Sequence, residues 1–173
     1  MDDDAVVAAQ IGRPLRSAAE AARRCHLGLP VAIVVPPLLD DGTPFPTRYW
    51  LCCPLALRRV GRLESAGGVA AMERRAAADP VFGRRLQEAN RRYAAERDAV
   101  LAGEGGPRPS GGVGGARDGV KCLHAHYADY AAGQDNPVGE AVAAWVEPLD
   151  CTEPCVVEAA GRAVTNSRWR EPR

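Results

Sequence analysis

The sequence predicts a small, helix-dominated α+β single domain with a short N-terminal β element. Three observations lead to this fold class. The 173 residues are 46% hydrophobic and 25% charged, which is typical of one folded domain with a real core. The β-branched run from Val31 to Val35 is typical of a buried strand. After Pro54, apolar side chains recur at the spacing of amphipathic helices.

The N-terminal part of the chain is predicted to supply the β element. Residues Asp4 to Ile11 form a short helix with aspartates at its positive end. The next segment, RSAAEAARRCHLGLP, fits either a helix or a strand that ends in a turn. VAIVV is a strand, and PPLLDDGTPFPT is an ordered loop or hairpin with an Asp-Gly turn. RYWLCC then returns as a second strand.

Helices are predicted to dominate after residue 53, because prolines and glycines mark their starts and ends. Their expected ranges are Pro54 to Ser65, Val69 to Ala78, Pro80 to about Leu101, a helix within residues 119–133, and Pro137 to about Trp145. Residues 1–157 are expected to form one globular domain, with a Gly-rich loop at residues 103–117. Residues 158–173 are expected to be a C-terminal tail.

Charge and hydropathy exclude several classes of protein. The 22 lysines and arginines balance the 22 aspartates and glutamates, whereas a nucleic-acid binder usually carries a basic excess. We therefore expect no nucleic-acid partner. No apolar run approaches the ~18 residues of a membrane span. The acidic start, MDDD, is unlike a signal peptide, and we therefore expect a cytoplasmic protein.

The six cysteines are the main chemical feature of the sequence. In a reducing cytosol, this number indicates metal ligation or thiol chemistry rather than disulfides. Free cysteines are also often buried apolar residues, and we expect this for Cys52 and Cys151. The other four lie at predicted element boundaries, where ligands from distant segments can meet: Cys25, Cys53, Cys122 and Cys155. No CxxC pair is present, so both zinc and an iron–sulfur cluster stay open.

The stretch GVKCLHAHYADYAAG cannot hold a metal by itself, because one helical turn supplies too few ligands for a closed site. In a regular helix, Cys122, His126 and Asp129 share a face, whereas His124 lies about 200° away from Cys122. If Cys122 precedes the helix, Cys122 and His124 can meet instead. The predicted metal ligands are therefore the four boundary cysteines, together with His124 or His126.

Two other functions stay open beside metal binding. A cysteine and a histidine could serve a hydrolase or transferase, with Cys122 or Cys53 as the nucleophile and a histidine as the base. Alternatively, an interaction module could present arginine-rich helical faces to an unidentified acidic protein partner. The simplest reading of these arginines is a solvated surface. SGGVGG lacks the Lys-Ser/Thr ending of a phosphate-binding loop.

Several motifs follow one another in a characteristic order between about Val6 and Val156. They are RCHLGLP, DGTPFPTRYWLCCP, RLESAGGV, SGGVGGARDGVKCLHAHYA, and NPVG followed by PC. Together they resemble the uncharacterised bacterial family called domain of unknown function 501, which is common in actinobacteria. The most specific of them is VKCLHAH.

This resemblance implies site residues but no activity. It places family cysteines at Cys25, Cys53, Cys122 and Cys155. Asp129 stands where some relatives have a histidine. Related sequences carry a Gly-Gly stretch before KCLH, which implies that part of the Gly-rich loop is ordered.

Overall fold

The chain folds into an α+β domain, as the sequence predicts. This computed structural model describes residues 1–101 and 105–172. The helices are α1 (Asp3–Ile11), α2 (Pro54–Ser65), α3 (Gly68–Ala78), α4 (Pro80–Val100), α5 (Leu123–Ala131) and α6 (Pro137–Val146). The strands are β1 (Glu20–Arg24), β2 (Pro30–Val34), β3 (Tyr49–Leu51), β4 (Val156–Ala159) and β5 (Arg162–Thr165). None of the described helices is both long and apolar enough to cross a membrane.

The first three strands form an antiparallel sheet in the order β1-β2-β3. The Ala-rich segment before Cys25 is strand β1 rather than a helix, because it pairs with β2. The two faces of the sheet pack differently. Ala32 and Leu51 face the main core, which lies against the helices. Ile33 and Cys52 face a second, smaller apolar cluster on the other side of the sheet.

Proline and capping residues set the helix starts at the predicted places. Pro54 is the first residue of α2. The Asp79 side chain accepts two amide hydrogen bonds in front of Pro80, and Asn136 accepts one in front of Pro137. These caps satisfy amides that have no partner inside the helix, which is why α4 and α6 begin where they do.

The part of the Gly-rich segment next to α5 is an ordered loop. Asn90 of α4 accepts a hydrogen bond from the Val113 amide at 2.9 Å and donates one to the Gly119 carbonyl at 3.2 Å. A Cβ atom at Gly112 would overlap the Asn90 amide, so the loop packs directly against α4. Residues 103 and 104 of the predicted Gly-rich loop lie outside the described residues.

The arginines of α2 bind the part of the chain that runs from the end of α6 to Glu171, here called the C-terminal segment. Arg59 donates to two backbone carbonyls, one at the end of α6 and one just beyond it, at 2.7 and 2.6 Å. Arg58 lies over the ring of Trp169, with its guanidinium carbon 4.8 Å from the ring centre. Arg62 is ion-paired with Glu171. These arginines therefore stabilise contacts inside the chain.

Residues 158–172 are more ordered than the expected tail. They contain the second half of β4 and all of β5, which pair as an antiparallel hairpin. The side chain of Trp169 is buried against the main core. The sequence shows no strong pattern here because the hairpin is short and most of its residues are exposed.

Candidate functional site

Helix α5 begins one residue after Cys122. Cys122 has extended backbone angles, φ −155° and ψ 146°, and occupies the N-cap position. The regular-helix geometry that would pair Cys122 with His126 therefore does not apply. Cys122 and His124 instead line the same cavity, which agrees with the alternative in which Cys122 precedes the helix.

This cavity lies between the edge strand β3 and the start of α5. It encloses roughly 600 Å³, including its open mouth. Beside Cys122 and His124, its lining is mainly apolar: Thr47, Tyr49, Trp50, Leu51, Leu57 and Ala125. A thiol and an imidazole thus face a pocket in which few other polar groups compete with them.

Glu64 of α2 orients the imidazole of His124. Glu64 Oε1 lies 3.1 Å from His124 Nδ1 and also accepts a hydrogen bond from the Leu123 amide at 2.5 Å. When Nδ1 carries the proton and donates to this carboxylate, Nε2 holds the lone pair of the neutral ring. Nε2 lies 3.4 Å from the Leu57 carbonyl oxygen, a contact in which Nε2 is the donor whenever it carries a proton.

The thiol of Cys122 is protonated at rest. Burial raises its pKa, and the charge of Glu64 acts in the same direction. The amides of Ala125 and His124 and the charge of Lys121 act in the opposite direction. The thiol itself makes no capping hydrogen bond of standard geometry. Chemistry at this sulfur therefore needs a base, since the thiolate is the nucleophile.

His126 belongs to a polar network in the core. Its side chain is fully buried, and its Nδ1 donates to Asn136 Oδ1 at 3.0 Å. Asn136 in turn donates to Asp129 Oδ2 at 2.9 Å, and the same oxygen accepts from Arg92 at 2.6 Å. Burial lowers the pKa of His126 to about 4, so the ring is neutral. The structure thus gives His126 and Asp129 a place in core packing.

Four other thiols lie near one another, on three separate segments. Burial raises the pKa of Cys53 to about 12, and the Cys155 and Cys151 thiols act in the same direction. Burial also raises the pKa of Cys155, to which Cys25 and Cys151 add. One ionisable group shifts the pKa of another in this way only at short range. Cys25 and Cys151 also line one open cleft, where His26 Nε2 lies 2.9 Å from the Cys151 carbonyl oxygen.

The predicted ligand set is not brought together as the sequence led us to expect. Cys122 lines the cavity beside β3, whereas Cys25 follows β1 at the opposite edge of the sheet. Cys151, expected to be buried, is half-exposed in the cleft, while Cys52 is fully buried as predicted. Across residues 1–101 and 105–172, no group of three or more His, Cys, Asp or Glu side chains is arranged to hold a metal ion.

Sequence reasoning missed Glu64 and the position of Cys151. Glu64 is separated from His124 by 60 positions, and nothing in the local pattern of α2 distinguishes it from a solvated carboxylate. The CxxxC spacing of Cys151 and Cys155 was the one sequence signal that could have predicted that Cys151 lies near the other thiols.

Comparison with known families defines the relationships of the chain. The family model described as "Protein of unknown function (DUF501)" matches residues 21–144, well over half of the sequence. The chain belongs to this family. DUF501 membership confirms the resemblance seen in the motifs from RCHLGLP to NPVG. The matched DUF501 region contains Cys25, Cys53, Cys122 and His124 and ends before Cys151. No curated protein and no solved structure is detectably similar to the chain.

Proposed function

We propose that the protein is a thiol-dependent hydrolase or transferase that acts on acyl groups. Cys122 is the nucleophile, His124 is the general base, and Glu64 positions the imidazole. The observation that carries the proposal is the cavity that Cys122 and His124 share, with Glu64 Oε1 3.1 Å from His124 Nδ1. In the tautomer that donates from Nδ1 to Glu64, Nε2 is the basic nitrogen. Cys122 and His124 both lie in the region that the family model matches.

The chemistry requires a base because the resting thiol is neutral. His124 Nε2 takes the proton of Cys122 Sγ, and the sulfur attacks the acyl carbon of the substrate. The bond to the leaving group breaks, and the leaving group receives the proton from Nε2. The acyl group is now a thioester on Cys122. His124 removes a proton from water or from a second acceptor, whose oxygen or nitrogen attacks the acyl carbon; the bond from that carbon to the sulfur breaks, and the proton on Nε2 returns to Cys122 Sγ. Nε2 must turn from the Leu57 carbonyl toward the thiol for the first step.

A model ester tests the proposal directly. With p-nitrophenyl acetate, we expect a burst of nitrophenolate and an acetyl group on Cys122, located by peptide mass spectrometry. Cys122→Ala should abolish the acetylated peptide, and His124→Asn should slow its formation by about 10²-fold or more. Cys151→Ala is the matched control, because it removes a half-exposed thiol from a different cleft. Circular dichroism should show that all variants stay folded.

The labelling pattern decides the outcome. Acetylation of Cys122 no faster than that of Cys25 or Cys151 would contradict the proposal, and so would a folded His124→Asn variant with an unchanged rate. Glu64→Gln should lower the rate less than His124→Asn, because a glutamine oxygen can still accept from Nδ1.

As a second candidate, we propose that a zinc ion or an iron–sulfur cluster binds to Cys25, Cys53, Cys151 and Cys155. This set differs from the sequence-based one because Cys151 replaces Cys122. The proximity of Cys151 to Cys53 and Cys155, and of Cys25 to Cys155, supports it, since these neighbours add to the raised pKa of Cys53 and of Cys155. Since the described residues offer no ready metal-binding group, the four side chains would have to rearrange around the ion.

Two N–H donors near these sulfurs also favour thiolate ligands. Gln10 Nε2 lies 3.6 Å from Cys155 Sγ, and Trp169 Nε1 lies 3.4 Å from Cys151 Sγ. Hydrogen bonds to sulfur stabilise its negative charge and tune bound clusters.

Elemental analysis and a visible spectrum of anaerobically purified protein test this second candidate. We expect stoichiometric zinc, or iron with the brown colour of a cluster, and loss of the metal in Cys155→Ala. Cys122→Ala is the matched control and should retain the metal. Metal-free wild-type protein would reject the candidate, whereas metal loss in Cys122→Ala would restore the ligand set that the sequence predicts.

A further inference from the structure

A second cavity lies on the face of the sheet that the main core does not cover. Ile33 of β2 and Trp50 of β3 form its floor, and residues 11–19 and 35–45 form its walls. The empty space in the cavity and in its open mouth together is roughly 500 Å³. Cys122 is not among its lining residues, although Trp50 lines both this cavity and the one beside Cys122.

The lining of this cavity is apolar and partly aromatic. Phe45 and Trp50 stack with their ring centres 5.5 Å apart, and both side chains are only half-buried. Leu15, Ile33 and Leu39 complete the apolar surface. Such a surface favours a ligand with an aliphatic or aromatic body, because desolvation of both partners stabilises the complex.

Arg13 adds a positive charge at the rim. Its guanidinium carbon lies 5.6 Å from the centre of the Trp50 ring, and the side chain is exposed. Within the described part of the chain, no carboxylate forms an ion pair with Arg13. Arg16, on the same rim, is already bound to Asp41 at 2.7 Å. Arg13 is therefore the cation that is available to a ligand in this cavity.

We propose that this cavity binds a small carboxylate with an apolar body, such as a medium-chain fatty acid or an aryl carboxylate. The body packs against Phe45 and Trp50, and the carboxylate pairs with the guanidinium of Arg13, whose planar donors match a carboxylate. A single unpaired arginine suits a monoanion. Binding at this site requires no reaction at Cys122.

Two probes of the same chain length, one with a carboxylate and one with a neutral hydroxyl group, test the site. Calorimetric titration with octanoate and with 1-octanol should show that octanoate binds about tenfold more tightly, because only the carboxylate forms a hydrogen bond with Arg13 in which both groups are charged. Arg13→Gln should remove this preference by weakening octanoate and leaving octanol unchanged. Arg16→Gln is the matched control, since it removes a rim charge that is already paired, and it should keep the preference.

Each result bears on one claim. Equal affinity for the two probes in the wild type, or an undiminished octanoate preference in Arg13→Gln, would overturn the proposal. So would the absence of octanoate binding at millimolar concentration. Leu15→Trp should weaken both probes by filling the cavity, and unchanged binding in that variant would place the ligand elsewhere and refute the site. Cys122→Ala should bind octanoate like the wild type, so the acyl-transfer proposal can fail separately.

Discussion

Acidification should destabilise the protein through His126. The folded-state pKa of His126 is about 4, because the ring is buried, whereas the unfolded value is about 6.5. A base with a depressed pKa binds its proton more readily in the unfolded chain. Its effect on stability is therefore absent above pH 6.5 and grows as the pH falls from about 6.5 to about 4.

The size of this effect follows from the difference between the two pKa values. At about 1.4 kcal/mol per pH unit, the full difference corresponds to about 3 kcal/mol below pH 4. Between pH 7 and pH 5, the expected loss is about 2 kcal/mol. Asp129 acts in the opposite direction, because burial raises the pKa of its carboxyl group. A direct comparison of pH values in the wild type therefore mixes both groups.

A variant separates the two contributions. His126→Leu removes the titrating ring and keeps a side chain of similar bulk, while Asn136 Oδ1 still accepts from the Gly139 amide. Urea unfolding, followed by circular dichroism, measures the unfolding free energy of both proteins at pH 7, 6 and 5. We expect the wild type to lose about 2 kcal/mol more than His126→Leu over this range. Parallel pH profiles would refute a buried neutral imidazole.

Three further substitutions test the packing around the sites by unfolding free energy. Tyr93→Phe should lower the unfolding free energy by about 1–3 kcal/mol, because the buried Tyr93 hydroxyl accepts hydrogen bonds from the amides at the start of β3. An unchanged value would mean that those amides find other partners. Gly112→Ala should lower the unfolding free energy by about 1–3 kcal/mol, because the added methyl group overlaps Asn90. Gly105→Ala is the control and should leave the unfolding free energy nearly unchanged, because Gly105 lies in open space. Equal effects of the two substitutions would contradict the close approach of the loop to α4. Arg59→Met should destabilise by at least about 1 kcal/mol, since two carbonyls lose their donor; an unchanged value would show that water replaces it.

Local signals in the sequence were enough to place most helices. Proline at the first turn depends only on neighbouring residues, and so does the capping side chain in front of Pro80 and Pro137. The starts at Pro54, Pro80 and Pro137 therefore agree with the structure. Strand β1 could not be assigned in this way. Its alanines and arginines favour a helix, and the pairing with β2 overrides that preference.

Long-range contacts account for what the sequence did not reveal. The arginines of α2 resemble a solvated face in the sequence, and only the fold shows that Arg58 and Arg59 contact the C-terminal segment. The cysteines that lie together in the fold could not be predicted for the same reason. Four thiols do lie near one another. Which four they are depends on where each segment packs relative to the two edges of the sheet. The spacing of cysteines along the chain does not encode this.

A difference of one residue in the start of α5 decides which histidine lies on the same side of the fold as Cys122. Inside a regular helix, Cys122 would share a face with His126, which the fold buries in the core. At the N-cap, Cys122 instead shares a cavity with His124. Glu64 fixes this start, because its Oε1 accepts the amide of Leu123 and also binds Nδ1 of His124. One carboxylate on α2 thus sets both the helix register and the orientation of the imidazole, so the histidine available to the thiol is determined by a contact between α2 and α5 rather than by the KCLH motif alone.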